Sequence, residues 1–580
     1  MADKRGSLMV NGYKVGGKVD ETLSSTSTNP IENQAIFNEL KKYGVKFTYV
    51  DNTLTLLSND DKVLSTATIK SGGSNFNIPN VTDIVASKGK AMATLTWTDP
   101  NDISYEGVNL AKWGGTIVVQ KVGSAPTSKD DGTIVFTETT RNQHKTTPLT
   151  ISNLTNDTTY YFGVFPYTDT GVYNYDASQV ISVTPAYTTV YGMHINGSES
   201  NPANMITYLS DCDNAHFTNT AKMNFSTGKF DWGDWANAFF IPKSCMLKYN
   251  GVVDYYLNEN DETKKVDGTA SDVGNASYGG NAMMEWGQLW WKLVPDTNGN
   301  GTSFYIADGQ VDDTYHAYNN VDCNGKINKH FYTPKYFGSN ISSKLRSISG
   351  ASNSISTTAQ QEIDLAKANN QDSSNPIWYT EVYADRLLIN LLLVMMAKNM
   401  NTQAVYGTGR CASSNNSAIG NGTMNGKGMF WGSQDQTSGV KVFGMENWWG
   451  NIWRRVAGYM NLNNVIYTKL TYDTSDGSTV KGYNLTGDGY VKQGSVSGTN
   501  GGYISAMTYT STAIVLKTVS GSDTTYYADG CWYSSGTMYA FCGGLWYDGS
   551  RVGAFYDNLG SSVSVASASS GVALSCKPVA

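Results

Sequence analysis

The chain has 580 residues, 40% hydrophobic and 16% charged, and a formal net charge of −7. That length accommodates about three to four domains, and the apolar content excludes a disordered protein. No Lys/Arg-rich run with interleaved aromatics supplies a phosphate-binding footprint, which excludes nucleic acid as a partner. With 59 glycines and 37 tyrosines, the composition favours many short strands and turns over long solvated helices.

The first residues, MADKRGSLMVNGYKVGGKVD, are basic but contain no apolar stretch long enough for a signal h-region. The expectation is a product made in the cytoplasm with no signal peptide. In VDETLSSTSTNPIENQAIFNELKKY, Asn29 as N-cap, Pro30 at the first helical position and Glu32 at N3 predict a short helix. Its apolar residues Ile36, Phe37 and Leu40 form a narrow stripe, which suits either a self-associating or docking helix or one frayed against the next domain. Residues 1–78 are read as an N-terminal segment with this short helix, used for attachment and oligomerisation.

From Pro79 the pattern changes to alternating runs: AMATLTWTDP, GGTIVVQKV, GTIVFTETT, TPLTISNL, TTYYFGVFPYT and ASQVISVTPA. Six such runs separated by turn residues predict a β-sandwich of about 100 residues. This segment, 79–187, resembles a fibronectin type III domain. Trp97 on an early strand matches that family, as does Leu154, which precedes Tyr160 at the spacing of its tyrosine-corner strand. The resemblance implies a spacer or adhesive module.

After AYTTVYG the chain turns rich in Trp, Tyr, Asn and Gly, and no linker divides it again, so 188–580 is read as one α+β domain. Strand signals occur in MEWGQLWWKLV and SFYIAD, and a helix is predicted from Tyr379 to Asn399 after the Asn375-Pro376 turn. Its apolar run, Leu387 to Ala397, is shorter than the ~20 residues a bilayer requires and contains Asn390. It predicts a buried core helix and no membrane insertion.

Motifs for chemistry are weak. The seven cysteines (212, 245, 323, 411, 531, 542, 576) and five histidines show no metal-ligand spacing, so no metal or cofactor is expected. Asp296, Asn298, Asn300 and Gly301 match the start of a calcium loop, but Ala307 stands where the bidentate Glu belongs, and a hairpin turn at Asn300-Gly301 is the better reading. Asp385 and Glu446 show no carboxylate pairing of glycosidase type. Glu446 reads as a hydrogen-bonded turn residue. No catalytic residue is assigned.

Three segments of the last domain resemble phage and prophage tail-fibre proteins that end in a C-type-lectin fold. They are FYTPKYFGSNISSKLRSISG, EVYADRLLINLLLVMMAKNMNTQAVYGTGR and KGMFWGSQDQTSGVKVFGMENWWGNIWRRVAGYM. Within the last, MENWWGNIWRR resembles the signature shared with formylglycine-generating enzymes, whose Gly-Asn-x-Trp turn (here Gly450, Asn451, Trp453) locks a loop onto the core. Those enzymes need a copper-binding cysteine pair, and no family cysteine motif surrounds Cys531, Cys542 or Cys576.

The terminal frame Gly543, Gly544, Trp546, Gly549, Gly553, Ala554, Phe555 and Leu559 resembles variable lectin domains diversified by retroelements, the major tropism determinant-like family. There, adenine-directed mutagenesis rewrites template asparagine codons, and Tyr547, Asp548 and Arg551 stand where templates commonly read Asn. The resemblance implies a variable region at about 530–575 and a receptor-binding face of Trp532, Tyr533, Tyr539, Phe541, Leu545, Tyr547, Asp548, Arg551, Tyr556 and Asp557. Physically, glycines permit tight turns while Trp546 and Phe555 anchor the loop, so exposed side chains can change at little cost in stability.

The implied protein is a multidomain, mainly β tail-fibre adhesin of the virion tail: helical N-terminal segment, fibronectin III/Ig-like β-sandwich, and α+β C-type-lectin head. Its partners would be a bacterial surface receptor, protein or glycan, other tail or baseplate proteins through the N-terminus, and two further copies in a homotrimer. The alternatives are a surface-glycan-processing or formylglycine-generating-type enzyme on the same fold, and a baseplate or decoration protein that binds no cell.

Overall fold

The computed structural model describes Met9–Val10, Tyr13–Lys14, Lys46–Val50, Thr53–Leu57, Val63–Thr68 and residues 77–579, except 106–107, 186–187, 354–355 and 472–484. The protein is mainly β, 39% strand against 9% helix, with a nearly closed, barrel-like sheet. It divides into two compact units, Met1–Ala186 and Tyr187–Ala580. The predicted helix after Asn29 lies outside the described residues. Beyond it, the N-terminal segment holds an antiparallel three-stranded sheet of Lys46–Val50, Thr53–Leu57 and Val63–Thr68, which the helical reading of 1–78 did not anticipate.

All six runs predicted between Ala91 and Ala186 are strands, and three strands that were not predicted accompany them: Thr82–Gly89, and the separate hairpin of Ile103–Tyr105 and Val108–Ala111. Apart from that hairpin they form a three-stranded sheet (Leu149–Ile151, Met92–Thr98, Thr82–Gly89) and a four-stranded one (Thr133–Glu138, Trp113–Val122, Tyr160–Thr168, Val180–Val183). Leu95 and Trp97 of the first and Val118, Phe162 and Val164 of the second share one core, as the inward-facing positions of two apposed sheets must. The Tyr160 hydroxyl accepts the Thr155 N–H at 3.0 Å, fixing the corner that leads into the central strand.

The second unit is built around one helix, Tyr383–Ala397, of which all fifteen residues are buried. It begins four residues later than predicted because Trp378–Thr380 instead pairs with Leu574–Cys576 as the edge of a seven-stranded sheet. Lys398 ends it in the left-handed conformation, φ 50°, with its N–H on the Val394 and Met395 carbonyls. One continuous apolar core joins this helix to Met193 of a four-stranded sheet, Trp286 of the seven-stranded sheet, and Val456 and Phe541 of the largest sheet.

Charged residues on the helix are matched inside the protein. Asp385 accepts from Lys577 Nζ at 2.6 Å and Ser575 Oγ at 2.8 Å. The Arg386 guanidinium donates to the Trp448 carbonyl at 2.9 Å and stacks 4.3 Å from that indole. A buried charge without such partners would be strongly destabilising. Among the described residues no helix is long and apolar enough to cross a membrane.

The calcium-like segment is a hairpin between the strands Trp290–Pro295 and Gly301–Ala307, closed by the Asp296 N–H on the Gly301 carbonyl. Its left-handed residue is Gly299, φ 70°, so the turn lies one to two residues earlier than Asn300-Gly301, and Gly301 already belongs to the strand. Among the described residues no cluster of His, Cys, Asp and Glu could hold a metal ion.

Candidate functional site: the face of the 530–560 segment

The terminal segment enters the largest sheet as three strands. Gly530–Tyr533 pairs in parallel with Asp557–Leu559, which also lies antiparallel to Thr537–Cys542. Thr537–Cys542 in turn pairs with the long strand Trp453–Leu462. Interior strands of a covered sheet lose both faces to packing. That decides the fate of most residues expected on a receptor-binding face.

Six of the ten are buried: Tyr533, Tyr539, Phe541, Leu545, Tyr556 and Asp557. Phe541 lies beneath the Arg455 guanidinium, 4.3 Å from ring centre to charge. Tyr539 faces the Tyr490 hydroxyl at 3.3 Å. Asp557 accepts from the Tyr459 hydroxyl at 2.8 Å, and burial pushes its carboxyl up to about 6. Tyr556 packs its ring 4.7 Å from that of Trp453. These six are structural residues, and the expectation that they face solvent is corrected accordingly.

The four that remain form a compact surface. Trp532 is 43% exposed and Tyr547 47% exposed, while Asp548 and Arg551 are half-buried. Trp532 Nε1 donates to the Tyr556 hydroxyl at 3.0 Å, and the Arg551 guanidinium lies 5.9 Å from the Trp532 ring. Asp548 accepts the Leu545 N–H at 2.9 Å, closing the turn that presents Tyr547. Burial raises the Asp548 carboxyl above its ordinary range, against the opposing pull of the Leu545 N–H and Arg551. The result is two large rings flanking a guanidinium, a composition typical of binding hot spots.

The loop rests on a rigid frame. Gly450, φ 70°, donates its N–H to the Gly543 carbonyl at 2.9 Å, and a Cβ there would stand 2.7 Å from the Arg410 carbonyl oxygen. Asn451 Oδ1 accepts the Ile419 N–H at 2.8 Å, while its own carbonyl accepts the Trp546 N–H at 3.1 Å. The Gly-Asn turn thus ties both the 410–419 loop and the 543–549 loop to the core. Val552, Ala554 and Phe555 are buried. Trp546 is only half-buried, so Phe555 and its neighbours, rather than Trp546, are the main anchors.

Glu446 accepts the Gly422 and Met424 N–H groups at 2.8 and 3.0 Å from a fully interior position, a loop-holding role. Cys531, Cys542 and Cys576 are buried, and burial drives their thiols upward, Cys531 to about 12. Such thiols stay protonated and out of reach of a substrate.

Sequence reasoning missed Tyr503, whose hydroxyl lies 2.7 Å from Ser550 Oγ beside the loop. It belongs to the strand Gly501–Tyr509, which pairs with Gly530–Tyr533, and only that long-range pairing brings it to the face. The cross-pairing leaves its own mark at Gly501, where a Cβ would stand 2.3 Å from the Trp532 ring. No protein-family model matches this chain, and comparison with curated proteins finds no relative.

Proposed function

We propose that this chain is a non-catalytic receptor-binding protein of the phage tail-fibre type, whose C-terminal lectin-like head binds a bacterial surface receptor through the Trp532, Tyr547, Asp548 and Arg551 face. The observation that carries the reading is the division of labour within 545–555. Val552, Ala554 and Phe555 are buried and hold the backbone, while Tyr547 is 47% exposed and, among the described residues, makes a ring contact only with Trp546, its neighbour in sequence. A side chain so placed can be exchanged within about 0.5 kcal/mol, which is the property a diversified loop requires.

The first unit suits a fibronectin III-like spacer, supported by its three- and four-stranded sheets and the Tyr160 corner. A single small face binds weakly, and a trimer would raise effective concentration without new contacts. Sequencing the gene across a population of the particles tests the reading. Substitutions concentrated at positions 532, 547, 548 and 551, with 552–555 invariant, are expected; an even spread along the head contradicts it.

A further inference from the structure

A lysine that the receptor-binding reading does not use lies in the interior of the second unit. Lys577 directly follows the strand Leu574–Cys576 and is 1% exposed, as is Asp385 of the core helix, while Asn319, on the short turn Tyr318–Asn320, is fully buried. Lys577 and Asn319 are 258 residues apart in sequence. Asp385 brings them together: its Oδ1 accepts from Lys577 Nζ at 2.6 Å and from Asn319 Nδ2 at 2.8 Å, so both nitrogens sit on one oxygen. Lys577 Nζ also donates to the Asn319 backbone carbonyl at 2.7 Å, which holds the amine beside that residue.

The surroundings of these groups suit more than an ion pair. The Asn319 side-chain oxygen accepts the Trp291 indole N–H at 2.8 Å, a bond that polarises the Cγ carbonyl and stabilises the charge that grows on its oxygen under attack. Ser575 Oγ donates to Asp385 Oδ2 at 2.8 Å, which fixes the carboxylate with Oδ1 turned to the two nitrogens. Trp291 and Phe331 are fully buried, and the Phe331 ring centre lies 4.6 Å from Lys577 Nζ. Burial draws the Lys577 ammonium below its ordinary range, against the opposing charge of Asp385, and so favours a neutral, nucleophilic amine. With all three side chains buried, the amine rather than water meets the amide carbon.

We propose that Lys577 and Asn319 join in an intramolecular isopeptide bond, with Asp385 as the proton relay. The Lys577 ammonium passes a proton to Asp385 across their hydrogen bond, and the freed Nζ lone pair forms a bond to Asn319 Cγ. Asp385 hands that proton to Nδ2 and takes a second one from the attacking nitrogen. The Cγ–Nδ2 bond then breaks and ammonia leaves. The products are a secondary amide, ammonia and a protonated Asp385, and nothing is oxidised or reduced. The bond ties the strand Leu574–Cys576 of the seven-stranded sheet to the turn that carries Asn319. A cross-link that closes so long a loop restricts the unfolded chain. The cysteines are all free, and an amide cross-link, unlike a disulfide, withstands reductants.

Mass spectrometry of the full chain tests the proposal. The intact protein is expected to be lighter than its sequence by about 17 Da, the mass of ammonia. Asn-Gly pairs such as Asn324-Gly325 also lose ammonia when they close to a succinimide, so the bond is assigned from the tryptic digest, as a branched species that joins residues 293–326 to residues 552–580. Asp385→Asn keeps the shape of the side chain but cannot relay the proton, and Lys577→Arg keeps the positive charge but stays protonated and offers no nucleophile. Neither variant should yield the branched species. Should both fold poorly, the digest of the parent chain decides alone. Separate 293–326 and 552–580 peptides as the sole products of the parent chain would overturn the proposal. So would Lys577 joined to Asp385 with loss of water, or a branched species formed as fully in Asp385→Asn.

Discussion

Asn390, at the centre of the core helix, donates its amide to the carbonyl of Ala554 at 2.6 Å and accepts from Trp448 Nε1 at 2.9 Å. One polar residue inside an apolar run therefore fastens the backbone beneath the exposed loop to both the helix and the Trp448-Trp449 segment. Replacing Asn390 with Leu removes both bonds and leaves the Trp448 indole N–H buried without its partner. The expected cost is about 2 kcal/mol or more, read as a lower denaturant midpoint with an unchanged slope. A midpoint within error of the parent protein would show that the frame is held elsewhere.

Two glycines of the loop should respond differently to alanine. At Gly553 a Cβ would stand 1.8 Å from Asp529 Oδ1, and that carboxylate is fixed by its bond from the Phe555 N–H at 2.7 Å. At Gly549 a Cβ meets nothing within 4 Å, and the only penalty is the left-handed backbone, φ 66°. Gly549→Ala should cost about 1 kcal/mol and Gly553→Ala about 3 kcal/mol or more. Thermal unfolding of the two variants side by side checks the order.

Stability should rise as pH falls from about 8 towards 5. Burial raises the Glu362 carboxyl to about 7 despite Arg455, and Asp557 to about 6, against ordinary values of 4.5 and 3.8. A carboxyl whose folded pKa is raised binds its proton more tightly in the folded protein. Its contribution is present in full below the unfolded pKa and lost as pH rises through the folded value, with a limiting slope of about 1.4 kcal/mol per pH unit for each group. Acid should destabilise only lower, where carboxyls such as Asp435, held down at about 2, begin to take protons that the unfolded chain binds more readily. Chemical denaturation at several pH values measures this, and Asp557→Asn should flatten the profile below about pH 6 while leaving the part between about 6 and 7, which Glu362 sets.

In the first unit, Tyr160→Phe leaves the Thr155 N–H without its acceptor. A loss of about 1 kcal/mol is expected, confined to the unfolding transition of Met1–Ala186. A shift in the transition of the second unit instead would contradict the division of the chain into two cores.

The parts of this architecture legible in the sequence are those set by local pattern. The strand alternation between Ala91 and Ala186 and the apolar run from Leu387 depend on residues close in sequence, whereas the Gly-Asn turn at Gly450 rests on a family resemblance. The start of the core helix was misplaced because Trp378–Thr380 finds its partner almost two hundred residues away, in Leu574–Cys576. The exposed face was overdrawn for the same kind of reason. Whether an aromatic residue on an edge or interior strand meets water depends on what packs over it, and Arg455 over Phe541 or Trp453 against Tyr556 leaves no trace in the terminal sequence.

The central claim is that the loop keeps its frame while its exposed side chains determine what is bound. The most direct measurement compares the parent chain with one carrying Tyr547→Asn, Asp548→Asn and Arg551→Asn together, recording both melting temperature and binding to a panel of bacterial strains. Asn retains an acceptor for the Leu545 N–H that Asp548 now serves, so the combined change in stability should stay within about 1.5 kcal/mol, while binding to the strain recognised by the parent is lost or moves to another. Unchanged binding, or a loss of binding matched by an equal loss of stability, would contradict the account.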